Sequence, residues 1–309
     1  MKDESTHPVL TLPQIPLVDD ISIRVLDSVA STMDVARDEV LRGRAAFDSH
    51  GRSWHIGFLA REQTAGRGQR GRAWFVPYNE ALCVTYILRD GLADPANAAL
   101  LALLVGVGVA DTVREMVADS AALNPEAVTS DGSDGSVRSV GHKRCDIGLK
   151  WPNDILLNGK KVGGVLIESL KAPDEGWVAL VGVGLNLTVR EFPPELRKMA
   201  TSFALEGLSA STDSPEIVAA NIFRSLLTLI ALAQTGGVAA VLARWREYDR
   251  TPDRHYVTEQ EGRQTEGVAI GIDENGALLL RLVDGTIRAV SSASSLREMG
   301  HDERCEARR

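Results

Sequence analysis

The pattern of apolar and polar positions divides the chain into a long mixed stretch and a short β-rich one. Positions 21–25 alternate with the period of a strand. Ser31-Thr32-Met33-Asp34 then reads as a helix start. Ser31 is the cap, and Asp34 three residues on resembles the second half of a capping box. That helix is predicted to run to Arg42, before Gly43. Segments 56–60 and 81–88 are strand-like, and 96–117 predicts a long helix. Its continuous apolar run, 98–110, is too short to span a bilayer and predicts a buried core helix. Three strand-like runs follow at 146–150, 162–169 and 179–186. Ser214-Pro215-Glu216 combines a cap, a proline at the first helical position and an early acid, so it starts a helix. That helix is expected to end near Gly236-Gly237, with a second short helix carrying Trp245 and Tyr248.

The pattern changes after Pro252. Short strands at 268–272, 277–282 and 286–290 are separated by Asn275-Gly276 and Asp284-Gly285, which are strong hairpin turns. They predict a small all-β domain at 254–299, of a size that closes into a barrel. Residues 1–20 carry Pro8, Pro13 and Pro16 and read as an extended arm. Segment 119–144 contains Ser130-Asp131-Gly132-Ser133-Asp134-Gly135-Ser136, a low-complexity run expected in a surface insertion within a larger domain at 21–250. Segment 188–213 has little periodicity, as in functional lids, and 300–309 is a charged tail.

A length of 309 residues suits about two domains. The net charge of −8 makes broad attraction to DNA or anionic membranes a poor expectation, so any basic cluster needs a local reason. Three cysteines, Cys83, Cys145 and Cys305, show no metal or redox spacing. Such sparse usage suits a reducing cytosol, and the first twenty residues lack a signal-peptide core. The expectation is a cytoplasmic protein with no membrane and no nucleic-acid partner.

One basic cluster does occur, in Gly66-Arg67-Gly68-Gln69-Arg70-Gly71-Arg72-Ala73-Trp74. Its glycine spacing matches a dinucleotide fingerprint, but that motif must open a helix, and here a strand follows. Three arginines among three glycines suit an anion approached closely by backbone, and Trp74 is placed to stack on a purine. A solvated basic turn is the bland alternative. Lys150-Trp151-Pro152-Asn153-Asp154 sets a cation and a carboxylate about a proline turn, which by itself is equally an ordinary turn. Lys161-Val162-Gly163-Gly164-Val165-Leu166-Ile167-Glu168 puts a lysine before a glycine pair, and Gly182-Val183-Gly184-Leu185-Asn186 ends a strand on an amide. Taken singly, a surface lysine and a turn asparagine are the commoner readings.

Together, and in this order, these four segments resemble the bacterial biotin protein ligases. That family carries a GRGRRGRxW loop, a KWPND segment, a K-x-x-G-hydrophobic-E strand and a GxGxN strand. Ser31-Thr32 and Gln63 match two further family positions. The resemblance spans roughly 21–298 and is to the monofunctional type without an N-terminal DNA-binding domain. It implies an α+β fold: a mixed, mostly antiparallel sheet flanked by helices, with a small C-terminal SH3-like β-barrel. It implies activation of biotin with ATP and Mg²⁺ to biotinyl-AMP, then transfer to a lysine of a biotin carboxyl carrier domain. A homodimer is left open. The resemblance implies Lys161, Arg67 and Asp154 as catalytic. It implies biotin contacts from Ser31, Thr32, Met33, Gln63, Arg67, Gly68, Gln69, Lys161, Gly163 and Gly164. It implies ATP contacts from Arg67, Arg70, Arg72, Trp74, Lys150, Asn153 and Asn186. Asp154 is assigned either to the incoming carrier lysine or to holding Lys161. Two positions depart from the family. Met33 stands where asparagine is usual and offers the ureido ring only backbone, and Gln69 stands where arginine is common, removing one charge over the intermediate. A lipoate ligase and a biotin-sensing repressor are the rival readings. The twenty residues before the core lack a helix-turn-helix pattern, which argues against the repressor.

Overall fold

The computed structural model describes residues 9–10, 21–44, 55–89, 91–123, 145–173, 176–208, 214–260, 263–290 and 295–298. The chain builds an eight-stranded and a five-stranded sheet, with helices on both faces of the larger one. In chain order the first sheet uses β1 (Val9–Leu10), β2 (Ile21–Val29), β3 (His55–Gln63), β4 (Ala81–Leu88), β5 (Ile147–Lys150), β6 (Asp154–Leu157), β7 (Lys160–Lys171) and β8 (Trp177–Asn186). Their spatial order is β1-β2-β3-β4-β8-β7-β6-β5. Only β2 and β3 pair in parallel, because α1 (Thr32–Leu41) makes the crossover between them. Every other pairing is antiparallel.

The two faces of this sheet do different work. Leu82, Val84, Tyr86, Leu88, Val181, Val183 and Leu185 alternate onto one face and share a core with α2 (Ala98–Leu123) and α3 (Pro215–Tyr248). Opposite them, Phe58, Ile87, Leu170, Val178 and Leu180 pack with Met33, Ala36 and Val40 of α1. That second core is small, and it leaves the middle of the sheet open to polar groups.

Several elements depart from the sequence pattern. Helix α2 runs to Leu123, so the first residues of the expected 119–144 insertion are helical; 124–144 lies outside the described residues. Both α2 and α3 are long and apolar enough to cross a membrane by length and composition. The predicted run of 98–110 is therefore the N-terminal half of a longer apolar helix, and most of that helix is buried in the protein. The two helices expected after Ser214 are present as anticipated, separated at Gly237, whose φ of 69° is non-helical; together they are α3. Ser214 caps it through the Ile217 amide.

The five-stranded sheet has the order β12-β11-β10-β9-β13 and is wholly antiparallel. Its strands are β9 (His255–Gln260), β10 (Arg263–Ile272), β11 (Leu278–Arg281), β12 (Ile287–Val290) and β13 (Ser295–Glu298). The anticipated glycine turns are present, with Gly276 at φ 79° and Gly285 at φ 82°. The β10–β11 turn also docks this sheet onto the larger unit. Trp151 Nε1 donates to the Gly276 carbonyl at 3.0 Å, and the Trp151 amide donates to Thr251 Oγ1 at 2.9 Å. A methyl on Gly276 would stand 2.7 Å from Leu103 Cδ1 and would also require a left-handed backbone. Gly276→Ala is therefore expected to cost about 1–3 kcal/mol. A urea titration checks this, and an unchanged midpoint would refute the tight docking.

Candidate active site

The site begins with strand register. Cys83 of β4 faces Gly184 of β8, Gly184 faces Gly164 of β7, Gly164 faces Asp154 of β6, and Asp154 faces Lys150 of β5. One row across five strands thus carries a thiol, two bare glycines, a carboxylate and an ammonium. The next row toward α1 pairs Thr85 with Gly182 and Gly182 with Leu166. Gly182 and Gly184 leave a strip of exposed backbone on the α1 side.

Large side chains from outside the sheet cover that strip. A Cβ on Gly184 would lie 2.6 Å from Trp74 Cε2, so the indole rests directly on β8. A Cβ on Gly182 would lie 2.9 Å from Met33 Sδ. Lys161 Nζ sits 5.5 Å from the Trp74 ring centroid, within cation–π range. It would also be 3.5 Å from a methyl on Gly164. The predicted pair Gly163 and Gly164 therefore splits. Gly164 faces Lys161, whereas Gly163 faces the opposite layer, where its Cβ would meet Leu185 Cδ2 at 2.4 Å. Its small size serves the approach of β7 to β8.

The KWPND segment supplies the counter-charge. Asp154 pairs with Lys161, and its other oxygen lies 3.5 Å from Lys150 Nζ. Of the two roles expected for Asp154, the structure displays the holding of Lys161. A bulge in the β6–β7 pairing brings these two residues together. Lys161 is also fixed by its backbone: its amide donates to the Met199 carbonyl, and its carbonyl accepts from the Thr201 amide, at 2.8 and 2.9 Å. Asn186 ties down the same segment by donating Nδ2 to the Thr201 carbonyl at 2.9 Å. Asn153, expected at the nucleotide, instead donates Nδ2 to the Val165 carbonyl at 2.6 Å and so pins β7. The Trp151–Pro152 peptide between these groups is cis.

The polar end of the strip is built by α1 and β3. Ser31 caps α1 by accepting from the Met33 amide at 3.3 Å. Gln63 Oε1 accepts from both the amide and the hydroxyl of Thr32, and that hydroxyl also bonds Thr85 Oγ1 at 2.8 Å. Thr85 has no motif around it, and its role was invisible in the sequence. Cys83 lies beside Gln63 and Trp74; burial pushes its thiol up to about 12, while those two side chains act in the opposite direction.

The arginine loop folds as a narrow hairpin. Arg67 bridges Ala73, the Gly68 amide donates to the Arg72 carbonyl at 2.7 Å, and the Trp74 amide donates to the Gly66 carbonyl at 2.9 Å. Gln69 opens a short 3₁₀ turn that closes at Gly71, whose φ is 70°. Arg72 is exposed, and the Arg70 side chain lies outside the described residues. The Arg67 guanidinium, expected at the nucleotide, meets a carboxylate of the protein. It forms a two-pronged pair with Asp34 at 2.8 and 2.7 Å. Asp34 thus does not complete a capping box. The Arg67 hydrogen bond holds its carboxyl below the usual carboxylate range, so the pair survives neutral pH and is lost only as pH falls through that lowered value. A second pair, Arg37 with Glu168, joins the next turn of α1 to β7.

Two family models match the chain. The biotin/lipoate A/B protein ligase family covers residues 53–186, which hold the loop, both lysines and the glycine strip. The biotin protein ligase C terminal domain covers 257–294 in the five-stranded sheet. The chain thus carries a biotin/lipoate A/B protein ligase domain followed by a biotin protein ligase C terminal domain. Curated relatives include the bifunctional ligase/repressor BirA of Escherichia coli, 28% identical over 232 residues. The match takes in 74% of this chain and 62% of that protein, so the chain spans less than two thirds of its length. The biotin--[acetyl-CoA-carboxylase] ligase of Paracoccus denitrificans is 28% identical over 248 residues, covering 80% of this chain and 92% of the relative. In fold, the chain is similar to the biotin protein ligase of Aquifex aeolicus solved with biotin and ATP. The TM-score is 0.65 at 22% identity, over 90% of this chain and 99% of that one.

The close seat of Trp74 on β8 can be tested directly. Gly184→Ala should keep the fold, since β8 needs no left-handed backbone there. It should displace the indole, because overpacking of this kind costs about 1–3 kcal/mol. Tryptophan emission should shift to the red, and the shift should vanish in a Trp74→Phe background. A wild-type spectrum would show that the ring does not rest there.

Proposed function

We propose that this chain activates biotin with ATP to biotinyl-AMP and passes the biotinyl group to a lysine of a carrier domain. In the first step a biotin carboxylate oxygen bonds the α-phosphorus as the bond to pyrophosphate breaks. In the second, a carrier amine attacks the mixed anhydride, AMP leaves and the amine gives up a proton. Both partners of the first step are anions, so the task of the protein is alignment and neutralisation.

The observation that carries this reading is the Lys161–Asp154–Lys150 array beside a bare backbone strip roofed by Trp74. An extended acyl chain would lie along the sheet on this strip, in the space that the Trp74 and Met33 side chains now fill. At its polar end Thr32, Gln63 and Thr85 form the hydrogen-bonding group suited to the ureido ring. At its charged end, Lys161 is placed for the carboxylate and α-phosphate, and the partly exposed pairing with Asp154 keeps it oriented. Trp74 and the arginines serve the nucleotide. Mg²⁺ fits this arrangement as a companion of the triphosphate. Among the described residues no group of three His, Cys, Asp or Glu side chains forms a metal cage. Mg²⁺ ordinarily takes only one or two protein oxygens. Asn186, whose Nδ2 is bonded to Thr201, would meet it through Oδ1, and bound beside the triphosphate it would offset phosphate charge. We place the reaction in the cytosol and leave a homodimer to sedimentation.

Pyrophosphate release with biotin, compared with lipoate, tests the proposal; release with lipoate alone would replace it by the lipoate reading. Lys161→Ala is expected to abolish biotinyl-AMP formation with the fold intact by circular dichroism, and wild-type turnover would remove Lys161 from its role. Gln69→Arg adds a charge to the roof and should slow release of biotinyl-AMP. An unchanged release rate would show that position 69 does not guard the intermediate.

A further inference from the structure

We propose that Asp34 is a positioning residue that fastens the 66–74 loop to α1 and keeps that loop closed as the roof of the site. This rests on the reading of the strip beneath the loop as the place where the activated acid lies.

The geometry is specific. The guanidinium of Arg67 meets both oxygens of Asp34, at 2.8 and 2.7 Å, an arrangement only an arginine makes with a carboxylate. Arg67 stands at the neck of the hairpin, bridging Ala73 on the returning leg. Fixing Arg67 therefore fixes both legs. The anchor is rigid at two points. The first turn of α1 is held to β3 and β4 through Thr32, Gln63 and Thr85. The next turn is held to β7 through Arg37 and Glu168. Arg37 and Glu168 are also the other charged groups felt by the pair, Arg37 by Asp34 and Glu168 by Arg67. In the loop itself the described contacts with the sheet come from Trp74 at its far end. Without the Asp34 pair, the segment from Gly68 to Arg72 would extend beyond the strip with no ionic tie to the body among the described residues.

The test uses Asp34→Asn, which keeps shape and removes charge at a half-exposed position where the fold should survive. The Gly68 and Trp74 amides should exchange hydrogen roughly three- to ten-fold faster, the scale of one partly exposed ion pair. Biotinyl-AMP should escape faster by a similar factor, and KM for biotin should rise while kcat for adenylate formation changes little. Asp34→Glu should recover part of each effect. The exchanged pair Asp34→Arg with Arg67→Asp should restore amide protection, a result no general loss of packing would give. Unchanged exchange in Asp34→Asn overturns the latch, whatever the kinetics. Faster exchange with unchanged release overturns the role of the loop as a roof. Because exchange is read without turnover, a protein that forms no biotinyl-AMP would sink the proposed function and still leave the latch decided.

Discussion

Bare backbone at Gly164 and Gly184, held side by side by the β7–β8 register, is the constraint on which the site depends. A side chain at Gly184 would occupy the space now used by Trp74, and one larger than a methyl at Gly164 would press on Lys161. Register matters as much as identity. A slip of one residue in β8 would turn Val183 or Leu185 toward α1 and bury the glycines in the α2–α3 layer. The large core on that second face prevents the slip, because Val181, Val183 and Leu185 are buried there together. Burial of such side chains is worth about 1.5–3 kcal/mol each, so the apolar layer fixes the geometry of the polar one.

The same logic joins the five-stranded sheet to the chemistry. Trp151 lies within the KWPND segment, one residue after Lys150, and it spends both its indole and its backbone donor on residues 251 and 276. Arg250 adds a pair with Asp146 at the start of β5, and its amide donates to the Leu149 carbonyl at 2.8 Å. The turn that carries Lys150 and Asp154 is thus braced from the small sheet. Changes in that sheet can reach Lys161 through Asp154 with no direct contact.

How much of this was legible follows from the kind of signal each part leaves. Strand β4 and the glycine turns of the small sheet were read correctly, because apolar runs and Asn-Gly or Asp-Gly pairs are local. Strand β6 was passed over, since four residues after a proline turn show no period. Strands β9 and β13 were missed for a related reason: they are recognised by pairing with each other, not by pattern. At the site, motif order located Lys161, Asp154, Trp74 and Gln63 in one place. It could not tell which face each residue addresses: Gly163 packs against β8, and Asn153 holds β7 through the Val165 carbonyl. Asp34 was misread because local spacing fitted a capping box, whereas its partner is 33 residues away.

The cations of the site share one feature that bears on how an anion could enter. Lys161 and Arg67 are already neutralised by carboxylates of the protein, and neither pair is deeply buried. Partly exposed pairs of this kind are worth about 0–1 kcal/mol each, while a deeply buried pair would cost several to break. A phosphate chain can therefore join these pairs at little cost while the carboxylates stay in place. The acids act less as competitors than as splints, holding flexible side chains in one place. An arrangement with unpaired cations would repel itself and spread its side chains into solvent, losing the alignment that two like-charged substrates require. The net negative charge of the chain outside this region makes that local pairing the means by which a small basic site stays ordered.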